Sequence, residues 1–159
     1  MKKIIDLDEM SSRARELREA GKKVVATNGC FDLLHVGHVR YLRAARALGD
    51  ILVVGLNGDD SVRALKGPGR PINNERDRAE LLAALEAVDF VSIFPGARAT
   101  QFLEAVAPQI YVKGGDYTPE TLDLEERNAL QKIGSEIRII PFAAGYSTSA
   151  TIEQLKDRP

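Results

Sequence analysis

Five short runs of Val, Ile and Leu recur along the chain, and amphipathic stretches separate them. The runs fall at residues 23–27, 51–56, 90–94, 110–113 and 137–141. They show little alternation of apolar with polar residues, as expected of strands buried on both faces. Helical periodicity appears at 7–20, 39–48, 75–85, 100–106, 120–133 and 149–156. Strand–helix alternation at this spacing constrains the chain to an α/β architecture, a parallel sheet with right-handed crossovers. Gly49-Asp50 and Gly134-Ser135 stop the helices before the strands that follow. In such sheets a ligand binds beyond the carboxyl ends of the strands, where the strand order reverses.

With 159 residues the chain is expected to be one domain over 1–159, with residues 1–21 as an N-terminal helical extension. A formal net charge of -1 offers no whole-protein case for nucleic acid or membrane as partner. The N-terminal stretch is charged throughout and reads as neither signal peptide nor membrane anchor. A single cysteine excludes an internal disulfide and suits a cytoplasmic location.

Both histidines of the chain lie in one stretch, NGCFDLLHVGH, which joins the first strand to the next helix. A helix N-terminus carries unpaired N–H groups and partial positive charge, so it attracts phosphate. Gly37 lacks a Cβ and would let a phosphate approach the backbone. His35 and His38 lie one turn apart, and each can donate to a phosphate oxygen, more strongly when protonated. Asp32 and Asn28 are turn-forming residues that cap or bond the backbone. The same pair also fits half a zinc site, completed by Cys30 or Asp32. No G-x-G-x-x-G follows the first strand and no G-x-x-x-x-G-K-[ST] occurs, which disfavours a dinucleotide dehydrogenase and a P-loop NTPase.

Three further stretches follow strands or open helices. Arg63, Lys66 and Arg70 stand in RALKGPGRP, after a short helical turn begun by Asp59-Asp60-Ser61. That loop reads either as a solvated basic loop or as a mobile cationic cover for a triphosphate. Arg78 opens a helix against its dipole, so Glu75, Asp77 or a bound phosphate should compensate it. Lys113 and Gly114 begin KGGDY at a strand end, where a plain turn or a backbone that reads a base edge both fit. Ser147 and Thr148 precede the last helix as N-caps, or as phosphate donors at its terminus.

Taken in order, NGCFDLLHVGH, LNGDDSVRALKGPGRPI, LLAALEAVDFV, VKGGDY and GYSTS resemble the heptose 1-phosphate adenylyltransferases of the cytidylyltransferase-like superfamily. The resemblance spans residues 24–155. It implies a Rossmann-like doubly wound parallel five-stranded sheet and adenylyl transfer from ATP to a sugar 1-phosphate. It implies that His35 and His38 contact the phosphates and stabilise the transition state, that Lys66 bridges both substrates' phosphates with Arg63 nearby, and that Arg78 lies near the phosphates. Asn28, Gly29, Cys30 and Phe31 would line the nucleotide pocket, Gly114 and Asp116 would lie near base and ribose, and Ser147 and Thr148 match the start of a Ser-Thr-Thr motif. Mg2+ carried on the triphosphate, a homodimer, a separate sugar kinase upstream and a place in lipopolysaccharide core synthesis are implied as well. The chain departs from the family at Ser149, at residues 118–130 and at Phe142, where cytidylyl-transferring relatives carry arginine. Glycerol 3-phosphate cytidylyl transfer, adenylyl transfer to flavin mononucleotide and a nucleotide-sensing module are the competing readings.

Overall fold

A computed structural model describes residues 2–115, 117–141 and 145–158. The strands are β1 (Val24–Gly29), β2 (Ile51–Asn57), β3 (Phe90–Phe94), β4 (Ile110–Gly114) and β5 (Glu136–Ile140). They form one parallel sheet in the order β3-β2-β1-β4-β5. The order reverses between β1 and β4, so a crevice opens where their carboxyl ends diverge. The helices are α1 (Leu7–Glu19), α2 (Val36–Arg46), α3 (Asp59–Lys66), α4 (Glu75–Ala83), α5 (Thr100–Val106), α6 (Leu124–Ile133) and α7 (Thr148–Lys156).

Successive strand residues feed two cores. Val24, Ala26 and Val53 pack with Met10, Phe102 and Leu130, which places α1, α5 and α6 on one face. Val25, Leu52 and Val54 pack with Leu42, Ala45 and Leu82, which places α2 and α4 on the other. The unbroken apolar runs therefore reflect burial on both sides. β5 is the exception, an edge strand with a half-exposed pattern.

The first residues do more than precede a helix. Ile4 bridges Val91, the Ile5 N–H donates to Val91 O at 3.1 Å, and Val91 N–H donates to Lys3 O at 2.9 Å. This pairing covers the outer edge of β3, a position otherwise open to association. Met10 and Ala14 of α1 are fully buried.

Several element limits differ from the periodicity reading, each for a local reason. α2 starts at Val36 because His35 is extended (φ -135, ψ 173) and serves as its N-cap. The short turn at Asp59 is a complete helix that ends where Gly67 takes φ 94, a left-handed angle that favours glycine. The 120–133 helix divides into a 3-10 turn at Pro119–Thr121 and α6, because the Asp123 side chain accepts from Glu125 N–H and Glu126 N–H. Asp116 and Phe142 lie outside the described residues.

Candidate active site

The turn after β1 is built around two unusual residues. Phe31 adopts φ 46, and its ring folds back over Gly29, where a Cβ would come within 3.0 Å of Phe31 Cε2. The same ring lies 5.4 Å from the His38 ring. His35 and His38 stack with centroids 3.9 Å apart. His38 Nδ1 accepts the backbone N–H of His35 at 3.3 Å, so the neutral ring carries its proton on Nε2 and presents an N–H donor. Burial, with the neighbouring His35, pushes His38 down to about 4, and burial also lowers His35. Both rings are therefore uncharged donors at neutral pH in the free protein, not the cations that would donate most strongly.

Gly37 makes room for the histidine ring. A Cβ there would stand 2.9 Å from the His35 ring and 3.0 Å from Tyr146 Cβ. The space vacated by the missing side chain is filled by the imidazole. His35 Nδ1 is buried in that packing without a partner among the described residues.

Asp32 is turned inward. Its carboxylate accepts Arg70 Nε at 2.7 Å and the backbone N–H groups of Ile72 and Asn73 at 2.9 and 3.0 Å. Burial alone would raise its pKa, but the Asn73 and Ile72 N–H groups and Arg70 hold it below the ordinary carboxylate range. Both oxygens are spent on that anchorage, which removes Asp32 from any zinc site with the histidines.

Arg78 is placed differently from its expected position beside phosphates. It is 0% exposed and does not line the cleft. Its guanidinium donates to the carbonyls of Cys30, Asn57 and Asn73 at 2.6, 2.9 and 2.9 Å and to Asp59 Oδ1 at 2.7 Å. It ties the ends of β1 and β2 to the starts of α3 and α4. Arg63 also stays outside the cleft, paired on the surface with Asp60 at 2.7 Å.

The remaining expected residues converge. A cleft of about 960 Å3 at the switch point is lined by Asn28, Gly29, Cys30, Phe31, His35, His38, Lys66, Lys113, Gly114, Ser147 and Thr148. Lys66 is the last residue of α3, and Lys113 lies over the Tyr117 ring at 4.9 Å. Asn28 Oδ1 accepts the Tyr111 hydroxyl at 2.5 Å. Ser147 caps α7 by accepting Ala150 N–H, while the Thr148 hydroxyl donates to Leu33 O at 2.9 Å and binds α7 to the histidine turn. Burial raises the Cys30 thiol although Lys66, Arg78 and Arg70 pull the other way, so it stays protonated at neutral pH.

The cleft also gathers Asn57, Ala97, Arg98, Leu122, Asp123, Glu126 and Tyr146, none of which was singled out as a site residue, although Asn57 and Tyr146 lie within the LNGDD and GYSTS motifs. They come from four separate segments, and only the packing of α5 and α6 against one sheet face brings Ala97–Arg98 near Glu126. A further signal in the chain was position: Asn57 ends a strand, as Asn28 and Lys113 nearly do.

The comparisons with known proteins agree with this geometry. The chain is 48% identical over 154 residues to the "Bifunctional protein HldE" of Geotalea uraniireducens, covering 97% of this chain and 31% of that protein. It thus spans about a third of the length of the curated relatives it matches. The crystal structure of the lipopolysaccharide core biosynthesis protein from Thermoplasma volcanium is similar at 30% identity and TM-score 0.64, over 77% of this chain and 98% of that one. Pantoate-beta-alanine ligase from Francisella tularensis shares the fold alone, at 13% identity and TM-score 0.61, over 94% of this chain and 69% of that one. Residues 26–154 match the family described as cytidylyltransferase-like. The chain belongs to this cytidylyltransferase-like family and is a nucleotidyltransferase.

Proposed function

We propose that this protein transfers the adenylyl group of ATP to heptose 1-phosphate, releasing pyrophosphate and forming an ADP-heptose for lipopolysaccharide core synthesis. The observation that carries the reading is the stacked pair of uncharged histidines, with His38 Nε2–H as a fixed donor, lining the same switch-point cleft as Lys66. The sugar is supported by the KGGDY and LKGPGRPI forms and by the kinship with a lipopolysaccharide core biosynthesis protein. The acceptor reaches the site already phosphorylated, so a kinase activity must act before it.

A phosphate oxygen of the sugar attacks the α-phosphorus in line, and the bond from that phosphorus to the β-phosphate oxygen breaks. The attacking phosphate is an anion near neutral pH, so no general base is required. Catalysis rests on positioning and on donors aimed at the developing charge, which His35, His38 and Lys66 supply. Among the described residues no three His, Cys, Asp or Glu side chains form a metal-holding group. The donor set suits an anion instead, so Mg2+ would be held by triphosphate oxygens and water and would neutralise their charge.

The test is pyrophosphate release with Mg2+, crossing ATP and CTP against heptose 1-phosphate and glycerol 3-phosphate. Release with ATP and heptose 1-phosphate is the expected outcome. Release with CTP and glycerol 3-phosphate would move the protein to cytidylyl transfer. ATP binding without release in any pairing would overturn the reading.

A further inference from the structure

We propose that the arm of the cleft between the β3–α5 loop and the start of α6 seats the sugar of the acceptor, with Glu126 accepting hydrogen bonds from its hydroxyls. This rests on the transfer reaction proposed above and assigns a place to its second substrate.

The cleft straddles the sheet. The histidine turn opens α2, which packs in one core, whereas α5 and α6 pack in the other. The triphosphate needs cations and N–H donors, and His35, His38, Lys66 and the N-terminus of α7 supply them. The second arm is lined by Ala97, Arg98, Leu122, Asp123 and Glu126. Carboxylates repel phosphate, so this arm does not suit the triphosphate.

Glu126 is the most buried of the polar groups in this arm, 6% exposed. Its Oε1 accepts Ala99 N–H at 2.8 Å, and Oε2 has no hydrogen-bond partner among the described residues. That oxygen is not sealed inside the protein but open to the cleft, where a ligand hydroxyl can donate to it. Its charge also reaches the Tyr111 hydroxyl, which burial first and Glu126 second raise well above the ordinary phenol range. Glu126 therefore sits beside the cleft centre, where Tyr111 bonds Asn28.

The other residues complete a surface for a polyol. Leu122, 5% exposed, and Ala97 present apolar surface to the C–H groups of a sugar ring. Arg98 is held by Asp123 at 2.7 Å and Glu125 at 3.2 Å, which fixes its remaining N–H donors at the rim. A sugar offers hydroxyl donors, hydroxyl acceptors and apolar C–H patches together. An adenine offers one amino donor and ring-nitrogen acceptors on a flat ring, without the several hydroxyl donors a sugar brings to a carboxylate.

The experiment compares wild type, Glu126→Gln and Arg98→Ala in steady-state kinetics with ATP and heptose 1-phosphate. Gln keeps the oxygen that holds Ala99 N–H and removes the charge. The KM for heptose 1-phosphate should rise about 10- to 100-fold, the scale of one lost charged hydrogen bond, with the KM for ATP unchanged within twofold. An analogue lacking a ring hydroxyl should cost the wild type a similar factor and cost Glu126→Gln little more. Equal rises in both KM values, a rise for ATP alone, or no change would overturn the assignment. If Glu126→Gln fails to fold, Arg98→Ala carries the same readout. If the wild type turns over no sugar phosphate, the reaction itself fails. Calorimetric titration with heptose 1-phosphate then decides the subsite: binding weakened by Glu126→Gln supports it, and equal binding, or none to the wild type, overturns it.

Discussion

At the scale of single residues, His38 is set by what touches its two nitrogens. The backbone N–H of His35 occupies Nδ1, and burial keeps the ring neutral, so Nε2–H is left as a donor, the one proposed above to meet phosphate. Removing it as His38→Ala should lower kcat by about 10²- to 10³-fold, read from initial rates of pyrophosphate release. Near wild-type turnover would withdraw its role. The same burial has a consequence for stability. In the unfolded chain the ring takes up its proton near the ordinary value of 6.5, whereas in the folded chain it does so near 4. The unfolded state binds more protons in that window, so stability falls as pH drops from about 6.5 to about 4 and is indifferent to this group above it. Urea midpoints at pH 7 and pH 4.5 should differ more for wild type than for His38→Gln. An equal loss in both would assign the acid sensitivity elsewhere.

At the scale of elements, the site depends on how strand ends are fastened to helix starts. Arg78 is the fastening between β1, β2, α3 and α4, and Asp32 does the same for the loop that carries Arg70. Arg78→Met would leave Asp59 without its partner and three carbonyls without donors. The expected loss is about 3–5 kcal/mol of stability in urea unfolding, the range for breaking a buried pair. A variant as stable as wild type would show that water replaces the guanidinium. The basic residue near the helix start was visible in the sequence, together with its need for compensation. Its partner was not, because the carbonyls of Cys30 and Asn57 come from segments 48 and 21 residues away.

At the scale of the whole molecule, the parallel sheet brings every strand's carboxyl end to one edge, and the reversal between β1 and β4 opens the cleft there. A ligand bound in that cleft touches both faces of the sheet and should stabilise the entire fold. ATP with Mg2+ at about 100 times its Kd should add about 2.7 kcal/mol, seen as a rise in Tm of roughly 5–10 °C. No shift at saturating ATP would remove the cleft as the nucleotide site.

The α/β class, the strand sites and the histidine turn were legible along the chain because they rest on local causes. Unbroken Val and Ile runs report two-sided burial, and a turn at a strand's carboxyl end reports where such sheets bind. The roles of Arg78, Asp32 and Gly37 were not legible, since each depends on which distant atom fills the space beside it. Nor was the Glu126 arm, assembled from loops that meet only when α5 and α6 pack on one face. Sequence by itself determined the α/β class and most of the elements, and pointed to the edge of the sheet where the cleft lies, because periodicity and turn residues act over a few positions. Only the tertiary structure decided which charges face the cleft and which are spent holding it open, because burial and pairing are settled by contacts between segments far apart in the chain.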